Sequence, residues 1–115
     1  NVESSLADEN SVLHHYKKLI ELRKKEKAFV YGDVQPILVD DKEIIAYYRI
    51  YGKDKFLVVC NFYGRDRIIE VADFEDKNEK VSEIISNYDN SSTELSKLRL
   101  RPYEAVIYKI DSIVQ

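Results

Sequence analysis

Phe56-Leu57-Val58-Val59-Cys60 decides how this chain folds. All five side chains are apolar, so as a strand the segment would be buried on both faces, whereas a strand of a plain two-sheet sandwich keeps one polar face. The run predicts a central strand whose outer side another element must cover.

Short β-rich runs surround it: Gln35-Val39, Ile44-Tyr51, Phe56-Phe62, Arg67-Val71, Val81-Tyr88, Leu95-Leu100 and Tyr103-Ile110. Gly32, Gly52, Gly64 and Asp89-Asn90 punctuate them. Regular spacing without intervening helices predicts an antiparallel β-sandwich, with Pro102 opening the last strand where a missing amide donor is tolerated. No internal repeat or low-complexity tract interrupts the pattern.

The one helical pattern lies upstream. With Asp8 as N-cap, Glu9 in the first turn and Lys24 and Lys25 near the end, both ends suit the helix dipole, and the helix is predicted to run to about Lys27. At about 100° per residue, Val12, Leu13, Tyr16, Leu19, Ile20 and the stem of Arg23 form one stripe, which Leu22 widens on the side of His15. The stripe is too wide for a lone surface helix. Part of it is expected to pack on the sandwich, and the remainder to invite weak self-association of the isolated chain.

Length and composition restrict the classes. At 115 residues there is room for about one domain with a modest core. No window approaches the roughly 18 consecutive apolar residues of a membrane span. A net charge of −3 argues against a nucleic-acid surface, which needs a basic face to release counterions, so the Lys17–Lys27 cluster is read as a solvated helix flank. Cys60 is the only cysteine, which rules out an internal disulfide and a cysteine metal cage and fits a cytoplasmic setting. The sequon Asn90-Ser91-Ser92 is a single short triplet of little weight. The opening Asn1-Val2-Glu3-Ser4-Ser5-Leu6-Ala7 lacks the basic-then-apolar order of a signal peptide and reads as internal to something longer.

Candidate chemistry is sparse. His14 and His15 are adjacent, so on a helix they point about 100° apart and cannot share one ion; no metal site is assigned. Acidic residues gather in turns, Asp40-Asp41 and Asp73-Phe74-Glu75-Asp76, where they read as solvated loop charge rather than as a general acid or base. The three glycines form no phosphate-cradling cluster, so no cofactor is implied. Nine tyrosines could supply a stacking platform, but Tyr47, Tyr48, Tyr51, Tyr103 and Tyr108 fall in strands, where tyrosine is simply a good sheet residue.

Several blocks together resemble a known family. Asn1-Val2-Glu3, Leu6-Ala7-Asp8, Ser11-Val12-Leu13-His14, Tyr16-Lys17-Lys18-Leu19-Ile20 and Leu22-Arg23-Lys24 are similar to the end of the catalytic barrel in bacterial α-glucosidases of glycoside hydrolase family 13. That is the oligo-1,6-glucosidase, dextran glucosidase and trehalose-6-phosphate hydrolase group. The resemblance continues through Tyr31-Gly32-Asp33, Ala46-Tyr47, Arg49, Leu57-Val58-Val59-Cys60-Asn61-Phe62, Ser86-Asn87-Tyr88 and Leu100-Arg101-Pro102-Tyr103-Glu104-Ala105. The chain departs from the family pattern at Glu9, at His15 and in the Asp40-Asp41-Lys42-Glu43 turn.

The resemblance implies that residues 1–28 are the tail and last helix of a (β/α)8 barrel and that 29–115 form the C-terminal antiparallel β-sandwich. For the parent it implies retaining hydrolysis of α-glucosidic bonds, α-1,6 in oligosaccharides, by two carboxylates roughly 5 Å apart. None of the family's catalytic motifs matches a position here, so no catalytic, cofactor or metal residue is assigned and the chain alone is expected to be inactive. The implied partner is the parent's catalytic barrel, with neither nucleic acid nor membrane. The competing expectation is a carbohydrate-binding module using surface tyrosines.

Overall fold

The computed structural model describes residues 17–71 and 79–112. Two helices come first, α1 over 17–25 and the single turn α2, Ala28–Tyr31. Strands β1 (Asp33–Ile37), β2 (Ile44–Tyr51), β3 (Asp54–Asn61), β4 (Arg67–Ile69) and β5 (Glu79–Ser86) follow. After a 3-10 turn at Leu95–Lys97 come β6 (Leu98–Leu100) and β7 (Ala105–Ser112). One sheet has the order β1-β2-β3-β7-β5 and the other pairs β4 with β6; every pairing is antiparallel. The antiparallel sandwich is present as read from the sequence, and each of the seven runs contains a strand, although β4 stops at Ile69 and β5 covers Glu79–Ser86 rather than 81–88.

The double apolar character of β3 has the expected consequence. Leu57 and Val59 point into the core between the sheets with Ile44, Ala46, Tyr48, Leu98, Leu100, Val106 and Tyr108. Phe56 and Val58 point the other way and are covered by Leu22 of α1 and Ala28 of α2, with Leu19 and Phe29 packed alongside. The Phe29 and Phe56 rings lie 4.8 Å apart, tilted by 58°. The helix is thus the missing cover, and the sheet is buried on both faces at its centre.

Local chemistry sets the ends of the elements. The β2–β3 hairpin pairs Tyr51 with Asp54 around Gly52 and Lys53. Gly52 takes φ +60° at the first central position, as a type II′ turn demands and as twisted strands prefer. Gly32 joins α2 to β1 where a Cβ would stand 2.3 Å from the Ala28 carbonyl oxygen and 2.9 Å from that of Ile50, so no side chain fits.

Five expectations need correction. The first strand is Asp33–Ile37 rather than 35–39, because Leu38 turns to φ +52° and Asp41 draws the amides of Glu43 and Ile44 onto its carboxylate. Leu95–Leu100 is not all strand: Leu95, Leu98 and Leu100 are each buried, and the step of three fits a 3-10 turn while the step of two fits a strand. The last strand begins at Ala105, with Pro102 and Tyr103 in a turn before it. The helix ends at 25 and restarts at Ala28, rather than running on to Lys27. Of its stripe Leu22 is buried and Leu19 half-buried, while Ile20 and Arg23 are exposed. Asp8, Val12, Leu13, His14, His15 and Tyr16 lie outside the described residues.

Candidate functional site

The turn 101–104 closes one end of the sandwich. Pro102 occupies its second position, Tyr103 stands third at φ +56°, and the Glu104 amide donates to the Arg101 carbonyl at 3.0 Å, the pattern of a type II turn. That third position suits glycine; a tyrosine there costs about 1–2 kcal/mol. The surroundings hold it in place. Every carbonyl of the turn accepts a hydrogen bond: Arg101 O from Asn61 Nδ2 at 3.0 Å, Pro102 O from the Tyr88 hydroxyl at 2.5 Å, Tyr103 O from Asn87 Nδ2 at 2.9 Å, and Glu104 O from the Asn61 amide at 2.8 Å. The amides are equally committed, Arg101 N to Glu104 Oε1 at 2.7 Å and Tyr103 N to Tyr63 O at 3.1 Å.

Glu104, only 1% exposed, is the centre of this cage. Its Oε1 accepts from Arg101 N and Nε, and its Oε2 from Arg101 Nη2 at 2.9 Å and from the Ser91 hydroxyl. Burial pushes its carboxyl up, but the hydrogen bonds from Arg101 and Ser91, with the Arg101 charge, outweigh burial and hold it below its ordinary value. The Arg101 guanidinium also stacks on Tyr88, 4.1 Å from the ring centroid.

A second ionic clamp ties the two sheets together. Arg67 of β4 donates from Nη2 to Asp41 Oδ2 at 2.6 Å and from Nη1 to Glu43 Oε1 at 2.5 Å. The Arg67 hydrogen bond holds the Asp41 carboxyl low, against the opposing effect of burial, with help from the Glu43 and Ile44 amides. Asp41 is therefore a structural ion pair and not the solvated loop charge expected for it; Asp40 is exposed. Asp73, Phe74, Glu75 and Asp76 lie outside the described residues. Both Glu104 and Asp41 are locked as anions, the opposite of what a general acid requires.

The far side of α1 and α2 is a different kind of surface. Ile20, Arg23, Lys24, Lys27, Val30 and Tyr31 line an open groove of about 570 Å³ with three cations and no carboxylate. Tyr31 is 70% exposed and lies 6.3 Å from the Tyr51 ring. Lys17, Lys18, Lys24, Lys25 and Lys27 are exposed, as a solvated flank requires.

The tyrosines divide. Tyr48 and Tyr108 are core residues, Tyr47 is half-buried, and Tyr51 and Tyr103 are exposed, Tyr103 on a turn rather than in a strand. Among the described residues no group of three or more His, Cys, Asp or Glu could hold a metal, and no helix is long and apolar enough to cross a membrane.

The family described as "Alpha-amylase SusG C-terminal domain" matches residues 44–107, from the first residue of β2 into β7 and through the cage. The chain belongs to this family. Curated relatives of this SusG-type C-terminal domain include oligo-1,6-glucosidase of Parageobacillus thermoglucosidasius, 43% identical over 111 residues, and trehalose-6-phosphate hydrolase of Bacillus subtilis (strain 168), 36% identical over 110. Each alignment covers 96% of this chain, and the chain spans about a fifth of those proteins' length. Among solved structures, Bacillus licheniformis trehalose-6-phosphate hydrolase matches with a TM-score of 0.80 and 35% identity, over 96% of this chain and 20% of that one. The matched family is a C-terminal domain, and these relatives are an oligo-1,6-glucosidase and a trehalose-6-phosphate hydrolase, members of the group that the resemblance named.

Several of the residues that carried the resemblance come together: Asn61, Asn87, Tyr88 and Arg101 to Ala105 meet in the cage, and Tyr31 lines the groove. Sequence reasoning missed Glu104 and Arg67 as ion-pair centres. The available signal for the first was Arg-Pro-Tyr-Glu itself, a base and an acid three apart across a proline turn.

Proposed function

We propose that this domain is the closing module of an α-glucosidase that hydrolyses α-glucosidic bonds, α-1,6 bonds in oligosaccharides, and that it packs on and stabilises that enzyme's (β/α)8 barrel. In this reading residues 1–28 are the barrel's tail and last helix and 29–115 the sandwich. The helix then serves as a wall common to two cores. The observation that carries the reading is the two-sided helix: Leu22 and Ala28 cover β3, while Ile20, Val30 and Tyr31 face away, exposed. Such a patch on a chain a fifth as long as its relatives fits an interface with the remainder. The three groove cations favour an acidic counterpart there. The unpaired thiol of Cys60 fits a cytoplasmic enzyme.

Joining the domain to the preceding four fifths of the Parageobacillus oligo-1,6-glucosidase tests this. The chimera is expected to fold and hydrolyse isomaltose, and Ile20→Asp within it to cost about 1–2 kcal/mol of stability. A chimera indifferent to Ile20→Asp sinks the packing role. The isolated chain should self-associate through the same face. Light scattering should show its mean mass rising with concentration, less steeply in Ile20→Asp, and a monomer at all concentrations counts against the proposal.

A further inference from the structure

The packing role leaves one exposed feature unused, at the opposite functional extreme from the buried cage that supports it. Tyr103 is 63% exposed, so burial does not reward an aromatic there, yet its backbone is held at φ +56° where glycine is favoured. The cage fixes the ring's position. The ring lies against the loop after β3, where a Cβ added at Gly64 would stand 3.1 Å from the Tyr103 hydroxyl. The absence of a side chain at Gly64 makes room for it.

Two groups beside it complete a surface. Tyr63, 40% exposed, is tied to Tyr103 by the 3.1 Å backbone hydrogen bond, and the Arg65 guanidinium stacks 4.6 Å from the Tyr63 ring centroid. The Arg65 side chain is 65% exposed and its carboxylate partner, Glu43, is 3.9 Å away, which leaves donors facing solvent. Asn61 pins this loop, giving Nδ2 to Arg65 O at 3.0 Å and taking the Tyr63 amide on Oδ1 at 2.9 Å. Rings and guanidinium are therefore presented on one rigid support.

We propose that Tyr103, Tyr63 and Arg65 form a surface site for neutral gluco-oligosaccharides, separate from any catalytic centre. A pyranose has an apolar C–H face edged by hydroxyls, and the exposed Tyr103 ring, on a turn bonded to the loop that carries the Tyr63 ring and the Arg65 donors, offers counterparts to both. A nucleobase would use the same ring, but a chain of net charge −3 offers no phosphate track. Few polar contacts converge, so affinity lies on the order of millimolar. The inference does not rest on the packing role, and the isolated chain tests it.

The test is amide-resolved NMR titration of the chain with isomaltotriose. The expected result is saturable shifts at 61–65 and 101–104, weakened at least tenfold in Tyr103→Gly, kept within about twofold in Tyr103→Phe and unchanged in Tyr31→Ala. Glycine fits φ +56°, so Tyr103→Gly should unfold no earlier than the parent chain, which separates lost stacking from lost fold. An unchanged midpoint in Tyr103→Gly, shifts confined to other residues, or no saturation by roughly 20 mM sugar overturns the site. So do shifts that follow protein concentration instead of sugar, which assign the ledge to a protein contact.

Discussion

Glu104→Ala is expected to lower the stability of this domain by about 3 kcal/mol, which chemical denaturation will read as a reduced midpoint at unchanged slope. The substitution removes an acceptor that serves the Arg101 amide, the Arg101 guanidinium and the Ser91 hydroxyl together. Arg101 keeps partial access to water and two backbone acceptors, Asp89 O and Asn90 O, so the cost falls at the lower end of the range for breaking a buried pair. A loss below about 1 kcal/mol would show that the turn holds itself.

The same residue gives an acid signature with a definite sign. Its folded-state carboxyl titrates below the ordinary 4.5, so its contribution is fully present above that value and fades as pH falls through the lower folded value. Asp41, lowered from 3.8 chiefly by Arg67, behaves alike. The stability gap between the parent chain and Glu104→Gln should stay constant from neutrality down to about pH 5 and narrow below it. A gap that widens with acid contradicts the assignment of Glu104 as a locked anion.

Phe56→Ala is expected to cost about 3–5 kcal/mol. Phe56 is fully buried beneath α1 and α2, against the Phe29 ring on one side and with the Lys109 ammonium 4.4 Å from its centroid. Truncation leaves a cavity that a helix anchored through Leu22 and Ala28 fills poorly. A thermodynamic cycle with Phe29→Ala should give a coupling of about 0.5–1.5 kcal/mol, the part due to the ring pair. Additive losses would mean that the helix cover slides freely over the sheet.

The sequence was most legible where pattern and burial coincide. Five apolar residues in succession at 56–60 required cover on two sides, and that requirement held without knowing what supplied it. The helix stripe was less informative, since a stripe wide enough for two partners does not say which half meets which. Leu19 and Leu22 took the sheet, and Ile20 and Arg23 were left facing outward. Asp41 was misread because loop carboxylates look alike until the fold brings a cation from 26 residues away. The cage was visible only as a family resemblance: Asn61 reaches a carbonyl 40 residues on, and no local period encodes that distance.

The order of strands bears on how the domain is made. β7 is the neighbour that joins β3 to β5, and its turn supplies both Glu104 and the carbonyls that Asn61 and Asn87 grip. On a ribosome, the β1-β2-β3 meander emerges first and waits with the far edge of β3 unpaired and its most apolar residues uncovered on that side. β5 emerges with no partner at all. β3 is paired once Ile110 has left the exit tunnel and β5 once Ser112 has, so both depend on β7, and a stall or premature stop in that stretch leaves an adhesive edge rather than a slightly shortened domain.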